Sequence, residues 1–224
     1  KRALAQILGS TPIVWVANSL EHINKSEIAG TETQAILYAA KNETESFQVA
    51  IKAPSGGLTN VNTTSNDLSN SSGQTISRAG ITLYRENYAN ITPQSPDWGG
   101  TNRPLPAGLH PDALMPFVDP RTGADITGAE FDAVPFRVAD GTNEVIWVDI
   151  YVPPTASTGI YSGNLVVTSD QGNVTVPVSL TVWNFALPVK PEEKSDFLIW
   201  ETSNADYEDE LLRKVDEEAK RKTL

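Results

Sequence analysis

Between Pro12 and Phe185 apolar and polar positions alternate in short β-rich runs, separated by clusters of Gly, Pro, Asn and Ser. Alternation with period two sends successive side chains to opposite faces of a strand, and short runs at close spacing predict a sandwich or barrel. Strands are expected over 13–17, 33–39, 46–52, 59–64, 81–88, 144–152, 159–169 and 173–185. In 144–152, Ile146, Val148, Ile150 and Val152 take one face, while Trp147, Asp149 and Tyr151 take the other. That strand has one inward face and one partly wet face. Residues 165–176 read as a hairpin turning at Gly172, and Pro177 inside its second strand is expected at an edge or a bulge because it lacks a ladder donor.

The pattern fails between Asn90 and Pro135, where eight of the fifteen prolines lie. A loop this long is uncommon unless it is functional or packs on a neighbour, and Trp98, His110, Met115, Phe117 and Phe131 within it argue for an ordered one. After Phe185 the prolines of 187–191 mark a stiff connector. A short apolar strand over 197–200 follows, and then a helix capped by Ser203 or Asn204, with acidic residues at its start and basic ones at its end. Tyr207, Leu211, Val215 and Ala219 give that helix one narrow apolar stripe, which needs a partner surface. The expected organisation is an N-terminal segment 1–11, a β domain 12–190 containing the loop 90–135, and a strand–helix extension 191–224 that reads as the opening of a β/α unit without its second strand. The missing initiator Met fits a processed chain or a fragment.

Composition narrows the classes of function. The 224 residues carry 28 acidic and 17 basic side chains, a formal charge of −11, which argues against a nucleic-acid or anionic-membrane surface. Residues 191–224 alone hold 11 of the acidic groups, so much of the excess belongs to a tail rather than to a ligand surface. No run approaches the ~18 apolar residues of a membrane span. With no cysteine there is no disulfide, thiolate metal site or cysteine nucleophile. Sequons at Asn24, Asn42, Asn62, Asn70, Asn90 and Asn173 are candidate glycosylation sites and a weak pointer to an extracellular or cell-surface location.

Candidate chemistry is thin. His22 reads as a surface turn residue, and His110 has Asp112 nearby but no nucleophile elbow, so no catalytic residue is assigned. Two histidines without cysteine do not suggest zinc, and no cofactor is called. Asp119, Asp125 and Asp132 offer oxygen ligands without the spacing of a calcium loop, and pairing Glu130 with Asp132 as a glycosidase dyad predicts nothing without their separation. Tyr84, Tyr88, Trp98, Asn102 and Arg103, at or within the long loop, combine flat rings with polar groups and form a candidate carbohydrate site; buried loop anchors would use the same residues.

Several segments carry a family resemblance: 42–49 (NETESFQV), 84–86 (YRE), 111–116 (PDALMP), 159–163 (GIYSG) and 183–188 (WNFALP). Together, over roughly residues 12–200, they resemble the N-terminal β-sandwich of bacterial glycoside-hydrolase-like proteins related to glycoside hydrolase family 123. The resemblance implies an all-β, immunoglobulin-like antiparallel sandwich with a long Pro-rich loop and a C-terminal α-helix. It also implies that the sandwich precedes a (β/α) barrel holding the catalytic Asp-Glu pair, so that no catalytic residue carries over to this chain. The segment 42–49 reads more plainly as a turn into a strand with Phe47 and Val49 in the core and Glu43 satisfying backbone donors. Gly159–Gly163 is similar to the corner at which a tyrosine, here Tyr161, closes a sandwich edge. Segment 111–116 either packs against the barrel or plugs one end of the sandwich. The expected function is a non-catalytic accessory domain of a secreted protein, touching the barrel or another subunit through His110, Asp112, Leu114, Tyr207, Leu211 and Val215. The alternatives are a free-standing carbohydrate-binding or self-assembling module and, third, an enzyme with its site in the Pro-rich loop.

Overall fold

A computed structural model describes residues 11–190, apart from 98, 100–102, 120, 125, 127, 129 and 130. The chain divides into two compact units, Lys1–Val189 and Lys190–Leu224. The expected strand 197–200 and the helix after it lie outside the described residues. Twelve strands are described: β1 (Ile13–Asn18), β2 (Ala35–Lys41), β3 (Glu43–Lys52), β4 (Leu58–Ser65), β5 (Leu68–Asn70), β6 (Thr75–Ile76), β7 (Ile81–Ile91), β8 (Gly108–Pro116), β9 (Phe136–Val138), β10 (Asn143–Val152), β11 (Gly159–Thr168) and β12 (Val174–Ala186). Among the described residues the only helical element is one 3-10 turn, Arg78–Gly80.

The strands form two sheets. The first has the order β1-β3-β10-β7-β8 with every neighbour antiparallel. The second has the order β2-β12-β11-β4-β9, with β5 beside β11 and β6 beside β5. One pair departs from the expected antiparallel pattern: β2 runs parallel to β12, so the second sheet is mixed. Far apart in sequence, these strands have no hairpin to force opposite directions. β2 instead takes its direction from the corner at Asn42, where the chain crosses directly into β3 of the first sheet. Asn42 has φ 61°, a left-handed conformation that asparagine tolerates better than most residues. Beside it the Glu43 carboxylate accepts the Ala40 amide at 2.6 Å, while Phe47 and Val49 are buried, as the plainer reading of that segment expected.

The inward faces share one core. β3 contributes Phe47, Val49 and Ile51, β10 Ile146, Val148, Ile150 and Val152, and β12 Val176, Val178, Leu180 and Val182. Leu37, Leu58, Val61, Tyr161, Leu165 and Val167 close it. Burying a side chain of this size is worth about 1.5–3 kcal/mol, so the alternation read from sequence is the main source of stability.

All eight expected strands form, and the hairpin between β11 and β12 turns at Gly172, with φ 142°. Pro177 lies in β12 between two neighbours, yet its ladder to β2 begins only at Val178, so on that side it is locally an edge. The loop expected over 90–135 is interrupted by β8, whose prolines at 111 and 116 disguised it. β8 is an edge strand, where a missing N–H is tolerated, and a register shift between Glu86 and Tyr88 absorbs its irregularity. β5, β6 and β9, two or three residues each, are too short to show a period.

Tyr161, almost wholly buried, donates its hydroxyl to the Ser157 carbonyl at 3.0 Å and ties the start of β11 to the preceding turn. Two residues on, a Cβ at Gly163 would lie 2.5 Å from Leu68 Cδ2 and 2.9 Å from the Asp67 carbonyl, so glycine lets β5 approach β11. Tyr161→Phe is expected to lower unfolding stability by about 1 kcal/mol, since it removes a part-buried hydrogen bond. Gly163→Ala is expected to lower it by about 1–3 kcal/mol through overpacking. Urea unfolding followed by tryptophan fluorescence measures both, and a neutral Gly163→Ala would contradict the close approach.

Candidate functional site

The outward face of the first sheet has a covered end and an open end. At the covered end, Trp15, Ala17, Ala50 and Val145 pack with Ile23 beneath the connection 19–34, and Tyr88 closes one side. This connection is held by side chains of the sheet bonding its backbone. Gln48 Nε2 donates to the carbonyls of Asn18 (2.7 Å) and Glu21 (2.9 Å). Asn143 Nδ2 donates to those of Asn24 (2.8 Å) and Glu27 (3.0 Å), and the Tyr88 hydroxyl donates to that of Ile23 at 2.7 Å.

An ionic cluster sits beside these bonds. The buried Glu144 carboxylate pairs with Lys25 and lies 3.3 Å from Arg85 Nη2. The Lys25 ammonium stands 4.1 Å from the centre of the Tyr88 ring, and the Arg85 guanidinium 4.5 Å from that of Phe136. Burial pulls the Lys25 ammonium below its ordinary value in spite of Glu144. Burial, reinforced by Glu86, Glu144 and Glu27, pushes the Tyr88 hydroxyl up. With two cations on one carboxylate, Glu144 is suited to fastening the loop rather than to proton transfer.

Glu86 differs. It is 4% exposed, has no hydrogen-bond partner among the described residues, and burial alone pushes its carboxyl up from 4.5 to about 7. On β7 it stands between Tyr84 and Tyr88 on the same outward side.

At the open end, Trp147 of β10 lies directly across from Tyr84 of β7 and Gln48 of β3. One step further along, Asp149 lies across from Ser46. Asp149 Oδ1 accepts from Trp147 Nε1 and from Ser46 Oγ, both at 2.6 Å, which holds the indole along the strand. Burial and then Asp149 push the Tyr84 hydroxyl up. Tyr151 donates to Asn42 Oδ1 at 3.0 Å at the margin.

The five residues expected to bind carbohydrate do not come together as one described site. Tyr84 faces outward at the open end, whereas Tyr88 is committed to Ile23 and Lys25. Arg103 pairs with Asp97 at 2.6 Å in the exposed β7–β8 connection, and Trp98 and Asn102 lie outside the described residues. His110, Asp112 and Leu114 are on β8; His110 Nε2 contacts the Pro106 carbonyl at 2.7 Å rather than Asp112. Tyr207, Leu211 and Val215 lie outside the described residues. Of the sequons, Asn24, Asn90 and Asn173 are exposed. The Asn42 amide donates to the Leu187 carbonyl, Asn62 Oδ1 accepts the Thr63 amide, and Asn70 organises its own turn through Ser72 and Gln74. Asp119 likewise caps a turn, accepting the amides of Arg121 and Thr122. Among the described residues no group of three or more His, Cys, Asp or Glu side chains is placed to hold a metal ion, and no helix is long and apolar enough to cross a membrane.

A second surface went unassigned in the sequence. On the outer side of the second sheet Tyr38, Trp183 and Phe185 form a strip of rings, with centroids 6.3 and 5.7 Å apart and planes within 27° and 18° of parallel. They are 54%, 44% and 53% exposed, and Ile36, Ile160 and Leu187 are exposed as well. The signal was available, because β12 alternates: Leu180 and Val182 point inward, so Trp183 and Phe185 point out.

The family model described as the glycoside hydrolase 123 N-terminal domain matches residues 15–169. Among solved structures, the chain is similar to a family 123 glycoside hydrolase from Clostridium perfringens that hydrolyses glycolipid glycans, at 18% identity and a TM-score of 0.59 over 80% of this chain. The chain spans only 28% of that hydrolase. The CooA pilin subunit of enterotoxigenic Escherichia coli is a far looser match, with 13% identity and a TM-score of 0.31 over 78% of this chain and 99% of the pilin. No curated protein matches the chain in sequence.

Glu86 generates a pH prediction. A carboxyl raised from 4.5 to about 7 binds its proton more tightly in the folded chain, so its contribution to stability is intact below about pH 4.5 and falls as pH rises through about 7. The loss across that window is on the order of 3 kcal/mol. Glu86→Gln is expected to remove most of this slope and to stabilise the chain at pH 8 with little effect at pH 4. Urea unfolding at the two pH values checks it, and an unchanged slope would contradict the assignment.

Proposed function

The chain belongs to the glycoside hydrolase 123 N-terminal domain family, and on that premise we propose that it is a non-catalytic accessory domain of a secreted, carbohydrate-active protein, supporting or shaping a catalytic barrel. We read its two sheets as an immunoglobulin-like sandwich; the Tyr161 corner and the strands that cross between sheets support that reading.

The observation that carries the accessory role is the strip Tyr38–Trp183–Phe185. An exposed apolar patch of this kind marks a surface that is covered in the working protein. Its occupant is the catalytic domain: Trp183 and Phe185 are at the C-terminal end of β12, immediately before the connector, and Leu187 continues the apolar surface towards it. The length of the similar hydrolase supports the presence of such a neighbour. β8, with His110, Asp112 and Leu114, is the alternative contact, but it lies at the edge of the other sheet, remote from the connector in strand order. The engagement of two outward carboxyl groups supports the reading: Glu144 pairs with two cations, and Asp149 accepts from Trp147 and Ser46.

Two measurements test this role. The chain by itself is expected to leave chromogenic N-acetylhexosaminides intact; turnover that disappears in Asp112→Asn would make it an enzyme. Trp183→Ser with Phe185→Ser should leave the melting temperature of residues 11–190 within ~2 °C, since the rings are already exposed, but should lower that of the protein carrying the downstream domain. Equal effects in the two, or an effect from Leu114→Asp instead, would overturn docking on the strip.

A further inference from the structure

The open end of the first sheet is a second aromatic surface, on the opposite side of the molecule from the strip. Three features make it more than a wet sheet face. The indole of Trp147 is fixed by its bond to Asp149, and Tyr84 lies beside it on the next strand. Polar groups ring the pair: Asp149 uses one carboxylate oxygen for both Trp147 and Ser46, which leaves Oδ2 without a hydrogen bond among the described residues. The third is unmet polarity in the floor. Gln48, the cross-strand neighbour of Trp147, is 1% exposed and its Oε1 has no partner.

We propose that this face of β3, β10 and β7, centred on Trp147, Tyr84 and Asp149, binds a neutral saccharide. Pyranose rings present apolar C–H faces to flat aromatic side chains and hydroxyl donors at their rims, which is the complement of two rings edged by acceptors. The charge pattern selects the class. Asp149 Oδ2 and Gln48 Oε1 are acceptors, while Lys25 and Arg85 are engaged by Glu144, and Lys52 bonds the Glu27 carbonyl. The basic residues of β3, β7 and β10 are Lys52 and Arg85, both committed at the covered end, so these strands present no cation at the open end to an anionic sugar. The covered end shapes the site on one side: the connection 19–34 stands proud of the sheet and ends at Gln48 through its two carbonyl bonds. This assignment does not rest on the accessory role.

Calorimetric titration of the chain with neutral tetrasaccharides of glucose, galactose, N-acetylglucosamine and N-acetylgalactosamine, and with sulfated counterparts, tests it. At least one neutral tetrasaccharide should bind saturably and its sulfated form at least tenfold more weakly. Trp147→Ala should weaken binding at least about tenfold, Asp149→Asn several-fold, and Trp183→Ala not at all. Where Trp147→Ala melts early, Asp149→Asn and Tyr84→Ala carry the comparison, with circular dichroism as the check on folding. Absence of neutral-saccharide binding, indifference to these substitutions, or loss of binding in Trp183→Ala alone would each overturn the proposal.

Discussion

Ten consecutive cross-strand pairs hold β3 against β10, and every other feature of the domain is set by that register. Because the pleat alternates, pairing Val49 with Ile146 and Phe47 with Val148 commits those side chains to the core and commits Trp147, Asp149 and Gln48 to the outside. A slip of one residue would exchange the two sets, placing an aspartate and an indole between the sheets. Buried Phe47, Val49, Ile51, Ile146, Val148 and Ile150 make that slip prohibitive, so the outer face is positioned with the precision of the core beneath it.

The polar groups of the first sheet divide the labour. At one end they are spent on the chain itself: Gln48, Asn143, Tyr88 and Lys52 satisfy carbonyls of the connection 19–34, which has no ladder of its own to satisfy them. Glu144 adds an ion pair that would be weak at the surface; here, mostly sheltered from water and shared by Lys25 and Arg85, it is costly to break from either side. Where the fastened end gives way to the open one, Gln48 Oε1 and the buried Glu86 are left incompletely matched. Native interiors satisfy most such groups, so the mismatch separates the fastened end from the open one.

Most of the β architecture was legible in the sequence because period two is a strong signal in long strands, and the eight longest runs all became strands. β8 was hidden because Pro111 and Pro116 read as breakers, and only its position at the sheet edge makes them harmless. The parallel pairing of β2 with β12 was illegible, since direction depends on where the chain crosses between sheets and not on the pattern within either strand. The site was harder still. Tyr84 and Tyr88 look equivalent four residues apart, yet one is open and the other is roofed by Lys25 and Ile23. Trp147 was assigned to the outward face correctly, but its bond to Asp149 requires the pleat to bring i and i+2 together. The rings of Tyr38, Trp183 and Phe185 come from strands about 140 residues apart, and no local signal joins them.

The parallel pairing has a mechanical consequence. A pull applied along β12 would meet the strand's hydrogen bonds to β2 and β11 across its line. They are loaded in shear, together, rather than peeled one at a time. β2 is fastened to β3 through the corner at Asn42, so the load passes on into the first sheet. A force along β12 would therefore be passed through the corner at Asn42 to both sheets.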